Sequence, residues 1–167
     1  ITGGLGYIGT ELCKLYSGIS WHHEIIVIDK RFISERVNQL RNWNIEFIQG
    51  DILDLEMVQK YFVNADVVHH LAGVTDVPRT KSDSNPTKDK IIKDVAIKGT
   101  QNILDTIGNK CKIIFPSTHV VYEGVEEVRN DIGEDERTKP LLAYSSSKAE
   151  NEEQLKIRNK KNTLNNV

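Results

Sequence analysis

Tyr144 and Lys148 stand four residues apart in a segment with helical spacing, so a phenol and an ammonium share one helix face and can converge on one point. A lysine charge beside a phenol favours the phenolate and draws its pKa down from about 10. A tyrosine tuned in this way can give or take a proton at a carbinol oxygen. Thr118, just past the apolar run at residues 112–115, can donate a second hydrogen bond to the same oxygen. A plain surface helix would also place Tyr and Lys four apart, so the meaning of the pair depends on the elements that deliver it.

The chain opens ITGGLGYIG, with Gly3, Gly6 and Gly9 at a regular spacing. Ile1 and Thr2 precede the glycines, and Ile8, Leu12, Leu15 and Tyr16 follow in a helical pattern. A glycine turn between a strand and a helix brings backbone N–H groups and the positive helix end to a phosphate. Gly3, Gly6, Tyr7, Ile8 and Gly9 are therefore the candidates for holding a pyrophosphate. Gly9, one turn into the helix, is expected to let helix and sheet pack closely. Glycine clusters also mark ordinary turns. Only two residues of strand precede the turn and no initiator Met is present, so a fragment cut within its first strand is expected.

Further along, short apolar strands alternate with helices. Strands are expected at 25–28, 45–48, 67–71 and 112–115, and helices at about 34–40, 55–62, 90–107 and 144–160. Residues 75–88 read as a polar loop, 123–139 as an acidic irregular segment, and the final NTLNNV as the approach to another strand. Alternation of this kind predicts an α/β fold, a doubly wound parallel sheet covered on both faces. Ligands in such sheets bind beyond the carboxyl ends of the strands.

Composition excludes several classes. The 167 residues suffice for one domain with a buried core. Lys plus Arg is 22 against 24 Asp plus Glu, a net charge of −2, which gives no electrostatic case for nucleic acid or membrane partners. Cys13 and Cys111 are too far apart and too few for a disulfide scaffold or a zinc site, so no metal is expected. Two reduced buried thiols in a cytoplasmic protein are the reading.

The strand ends carry the remaining chemistry. Asp29 follows Gly9 by twenty residues, where a carboxylate can accept from both adenine-ribose hydroxyls and repel a 2′-phosphate. Lys30 and Arg31 beside it could hold such a phosphate, and NAD is favoured over NADP. Asp51 and Ile52 end the third strand, where an acid can take the adenine amine and an apolar side chain the ring; Asp51 could instead cap the next helix. Leu71, Ala72 and Gly73 end the fourth strand with residues that let a dinucleotide pass near the backbone. One of His69 and His70 reads as a packed, hydrogen-bonded core histidine more readily than as a catalytic base.

In this order the chain resembles the extended short-chain dehydrogenase/reductase family, in its NAD-dependent epimerase/dehydratase branch. TGGLGYIG, Asp29, Gly50-Asp51-Ile52, VVHHLAG, PSTHVVY and the Tyr144/Lys148 pair carry the resemblance across nearly the whole sequence. It implies a Rossmann-type NAD-binding domain over residues 1–167, truncated at both ends, with the substrate-binding domain outside this chain. It also implies a bound NAD and redox at a sugar hydroxyl, usually of a nucleotide-sugar. Tyr144 would be the acid/base, Lys148 would hold the nicotinamide ribose, and Thr118 would steady the reacting oxygen. A homodimer through helices at 92–107 and 144–156 is implied for the full-length protein.

Two positions depart from the family's pattern. Ala96 replaces the Asn of an N-V-x-G-T stretch, and His119-Val120 stand where sugar dehydratases carry Asp-Glu, which argues against water elimination. Epimerase, reductase and dehydrogenase remain open. A non-catalytic dinucleotide sensor, or a reductase of steroid or flavonoid type, would use the same fold. With a sheet edge uncovered, residues 1–167 alone are expected to be poorly stable.

Overall fold

Thr2 sits at the centre of the sheet. In the computed structural model, which describes residues 1–19, 23–74, 80–126 and 129–164, it bridges in parallel to Ile28 on one side and to His70 on the other. Strand β1 (Ile26–Asp29) pairs in parallel with β2 (Glu46–Gln49), Ile26 opposite Glu46 and Asp29 opposite Gln49. Strand β3 (Val67–His69) pairs in parallel with β4 (Lys112–Ile114), Val67 opposite Lys112. Four main-chain bonds join the opening residues to this frame: Gly3 N–H to Ile28 O, Ile28 N–H to Ile1 O and Ile1 N to Ile26 O, each at 2.8 Å, and Thr2 N–H to His69 O at 2.9 Å. The order is thus β2, β1, the opening residues, β3, β4. The chain winds outward on one side of its start and then on the other, which puts the switch point at the glycine turn.

The described chain divides into two compact units, residues 1–73 with 102–116, and residues 74–101 with 117–167. The first holds the strands with α1 (Tyr7–Ser17), α2 (Ser34–Asn42) and α3 (Leu55–Phe62). One core cluster buries Leu5, Cys13, Val27, Val37, Leu40 and Ile45, drawing on the glycine turn, α1, β1 and α2. Each such aliphatic side chain stabilises by about 1.5–3 kcal/mol when removed from water. A Cβ on Gly9 would meet Gly4 Cα at 2.6 Å and Gly3 O at 2.7 Å, so Gly9 closes the turn on itself. The expected close approach to the sheet belongs instead to Gly4, whose Cβ would strike a Val27 methyl at 2.3 Å.

The second unit packs α6 (Ala143–Leu164) against α4 (Pro86–Lys93) and the π-turn Asp94–Lys98. The single helix expected at 90–107 begins earlier and is not regular. Asn85 caps α4 by accepting from Lys88 N–H at 2.9 Å, and Pro86 takes the first position, where its missing N–H costs nothing. The π-turn then leads into α5 (Gly99–Thr106). Its loosened carbonyls find partners on α6: buried Asn151 donates Nδ2–H to Ala96 O at 3.0 Å, and Gln154 donates to Ile97 O at 3.3 Å. A hydrophobic pattern registers helical period but not this extra residue per turn.

Residues 162–164, read as the approach to a strand, are the last turn of α6. Low helix propensity of Asn and Thr there is overridden. The rest of that expectation, residues 165–167, and part of the polar loop, residues 75–79, lie outside the described residues. Among the described residues, no helix is long and apolar enough to cross a membrane, and no group of His, Cys, Asp and Glu is placed to hold a metal.

Candidate active site

In the first unit the glycine turn and two strand ends meet. Gly3 has φ +64°, and a Cβ there would lie 2.8 Å from the backbone of Ala72 and 2.9 Å from that of Leu71. Only glycine lets the turn rest on the end of β3. Thr2 supports the same junction: its Oγ1 accepts from Ala72 N–H at 3.0 Å and lies 2.9 Å from His70 Nδ1. Thr2 Oγ1 therefore links Ala72 and His70 at the end of β3. His70 is buried and tilts against the Phe115 ring, while His69 Nε2 lies 2.7 Å from the Tyr16 hydroxyl. Both histidines are packed and hydrogen-bonded, where the sequence suggested one, and burial lowers the His69 pKa.

Helix α1 starts at Tyr7 with no side-chain cap and no acidic residue in its first turn. Tyr7 and Ile8 are exposed there. Asp29, 6 % exposed, closes the end of β1. Its Oδ2 accepts from Leu5 N–H at 3.1 Å and from Arg31 Nη2 at 3.3 Å; its Oδ1 accepts from Arg31 N–H at 3.0 Å and from Nε at 3.3 Å. Arg36 donates to Leu5 O on the same turn. Asp51 accepts from Lys30 Nζ at 2.7 Å and from Leu53 N–H at 3.0 Å. Burial raises the Asp51 pKa, but the Lys30 and Leu53 bonds outweigh it and the net shift is downward. The alternative reading of Asp51 as a helix cap fails, because Asp54 caps α3 by accepting from Met57 N–H at 3.1 Å. Ile52 is buried, its carbonyl accepting from Asn102 at 3.0 Å, and Gly73 faces open space.

The second unit brings together the other candidates. Thr118 caps the short 3-10 turn His119–Tyr122, its Oγ1 accepting from Val120 N–H at 3.4 Å, and this turn packs against α6. Tyr144 and Lys148 lie in the first turns of α6, both half-buried, with Lys148 Nζ 5.8 Å from the centroid of the Tyr144 ring. The expectation that Lys148 lowers the Tyr144 pKa is corrected. Burial dominates both groups, raising Tyr144 and lowering Lys148, because each charged form loses water. The sequence reading missed Thr2, Gly4, Arg36, Asn151 and Glu123; a threonine just before a glycine turn is the only local signal among them.

A parallel sheet whose order reverses at a glycine turn, with a bare helix start beyond it, defines a Rossmann-type fold. The full chain, residues 1–167, matches the model of the 3-beta hydroxysteroid dehydrogenase/isomerase family, and the chain belongs to that family. It is 32% identical over 167 residues to a dTDP-D-glucose 4,6-dehydratase of Dictyostelium discoideum, covering 89% of this chain and 37% of that protein. A 3beta-hydroxysteroid-dehydrogenase/decarboxylase isoform of Arabidopsis thaliana is 32% identical over 131 residues, covering 75% of this chain and 22% of that one. Among solved structures, the UDP-glucuronic acid 4-epimerase of Bacillus cereus in complex with NAD superposes with a TM-score of 0.77 at 27% identity, covering 95% of this chain and 51% of that one. The chain therefore spans about half or less of the length of these relatives.

Proposed function

We propose that residues 1–167 form the dinucleotide-binding part of an NAD-dependent oxidoreductase or epimerase acting on a sugar hydroxyl, with a nucleotide-sugar as substrate. The observation that carries this reading is the placement of Tyr144 and Lys148 on α6, packed against the turn that Thr118 caps. A sensor that only binds a dinucleotide has no use for that set. The first unit suits NAD: the α1 start offers backbone N–H groups with no competing cap or acid, and Gly3 keeps the floor of the cradle free of a side chain. Gly6, Tyr7, Ile8 and Gly9 would surround the pyrophosphate, Asp29 the adenine ribose, Asp51 and Ile52 the adenine, and Leu71, Ala72 and Gly73 the chain between.

When bound, NAD supplies the hydride-accepting carbon and, oxidised, a positive charge. The protein's own part is proton handling. Burial raises the Tyr144 pKa, so the phenol is the form ready to donate; acting as base it would need more positive charge nearby than the free protein supplies. Lys148 would hold the nicotinamide ribose, and Thr118 would donate its hydroxyl hydrogen to the reacting oxygen.

Water elimination is not proposed, because His119 and Val120 lack the carboxylates it needs. A second reading, oxidation of a 3β-hydroxysteroid, is supported by the family match and by the Arabidopsis relative. Full-length protein charged with NAD and mixed with UDP-glucose, UDP-glucuronic acid, dTDP-glucose or a 3β-hydroxysteroid tests both. NADH or an epimerised product appearing with a nucleotide-sugar supports the first, NADH with the steroid alone the second, and neither NADH nor epimer with any compound refutes both. Buried thiols at Cys13 and Cys111 suit a reducing cytoplasm. Exposed Ile91 on α4 and Ile157 on α6 suit the homodimer, which a sedimentation measurement of mass checks.

A further inference from the structure

We propose that Glu123 is a positioning residue that ties the start of α6, and with it Tyr144, to the turn carrying Thr118. The inference rests on the function proposed above. Glu123 directly follows the turn His119–Tyr122 and forms its C-cap. Its Oε1 reaches forward to accept from Leu141 N–H at 2.7 Å, from Leu142 N–H at 2.8 Å, and from the hydroxyl of Ser145. Leu141 and Leu142 lead into α6, and Ser145 is the buried neighbour of Tyr144. N–H groups at a helix start lack partners within the helix, and a carboxylate there also meets the positive dipole end. Burial raises the Glu123 pKa, but the Ser145, Leu141 and Leu142 bonds outweigh it and the net shift is downward.

Two further ties act on the same segment. Lys139 N–H donates to Val121 O at 2.8 Å, and Gly124 N–H donates to Lys139 O at 2.9 Å, holding the strand of chain before α6 against the turn. Ser117, on the other side of Thr118, donates to Glu152 one turn beyond Lys148. Thr118 is thus bracketed by Ser117–Glu152 and Glu123–Ser145. The proposed chemistry needs the Thr118 hydroxyl and the Tyr144 phenol to meet one substrate oxygen, and a displacement of about 1 Å can cost about 100-fold in rate.

The test uses full-length protein with NAD and whichever compound of the four reduces it. Glu123→Ala should lower kcat at least about ten-fold, with KM and the NAD Kd within about two-fold of wild type. Glu123→Gln, which keeps an acceptor oxygen and nearly the same shape, should recover most of that loss. An alanine variant with unchanged kcat, or one whose loss follows its folded fraction, overturns the inference. Should Glu123→Ala not fold, Ser145→Ala takes its place with the same expectation for kcat. If wild type neither reduces NAD with any of the compounds nor epimerises one, the functional reading fails and a separate readout decides this one. With ring-labelled tyrosine, the Tyr144 NMR signal, assigned by its loss in Tyr144→Phe, should move in Glu123→Ala, or in Ser145→Ala where that variant does not fold; an unmoved signal overturns the tie.

Discussion

The Arg31 guanidinium forks onto the Asp29 carboxylate, Nε 3.3 Å from Oδ1 and Nη2 3.3 Å from Oδ2. Together with the N–H groups of Leu5 and Arg31 it fills the acceptor capacity of both oxygens. Ribose hydroxyls arriving at Asp29 must therefore displace an exposed arginine side chain. Arg31 is more than half exposed and can swing into solvent, while the buried Asp29 carboxylate keeps its bonds to the Leu5 and Arg31 N–H groups. Arg31→Ala should tighten NAD binding by up to about five-fold and weaken NADP binding. Calorimetric titration of both dinucleotides checks this, and weaker NAD binding in the variant would show that Arg31 helps to hold NAD.

Two glycines at the same junction should behave oppositely. Gly3→Ala puts a Cβ at 2.8 Å from the Ala72 backbone at φ +64°, and a loss of about 2 kcal/mol or more is expected. Gly73→Ala meets nothing within 4 Å and should change stability by less than about 0.5 kcal/mol. Denaturant unfolding of the two variants separates them; equal losses would contradict the tight seating of the turn.

The acid limb of stability should depend on Asp51. Burial raises its carboxyl pKa, but the Lys30 and Leu53 bonds outweigh it and hold the folded pKa below the ordinary aspartate value. The unfolded state then binds more protons in that window, so the stability Asp51 contributes is present above its unfolded pKa and lost as pH falls through the folded one. Asp51→Asn should flatten that part of the profile of thermal midpoint against pH. A profile as steep as wild type would mean that the Lys30 pair is absent in solution.

Asn151 supports the π-turn from inside. Replacing it by Leu removes one of the two donors to the half-buried Ala96 carbonyl, which keeps the Gly99 N–H, and should cost about 0.5–1.5 kcal/mol. Chemical unfolding of Asn151→Leu should show a loss in that range, and a neutral effect would argue that the carbonyl finds another partner.

Much of the skeleton is legible from local pattern. Apolar runs at Ile26–Asp29 and Val67–His69, the Leu55–Phe62 periodicity and the glycine turn each carry their own signal within a few residues. The start of α4 was readable too, since Asn85-Pro86 is a cap followed by a first-turn proline, but the charge density around it reads as loop. Other features have no local signature. Glu123 sits in an acidic stretch, and the groups it serves lie 18 to 22 residues away. Arg31 looks like a phosphate ligand from its charge, whereas its position on Asp29 is a matter of side-chain geometry. Tyr144 and Lys148 were found by spacing, but burial, which spacing does not report, reverses the direction expected for the Tyr144 pKa.

The most direct measurement is single-turnover reduction of NAD by full-length Tyr144→Phe, with the NAD Kd measured alongside. A phenol that transfers the proton predicts a rate lowered by at least about 100-fold with NAD affinity within about two-fold of wild type. A variant that reduces NAD at the wild-type rate would contradict the assignment of Tyr144 as the acid/base.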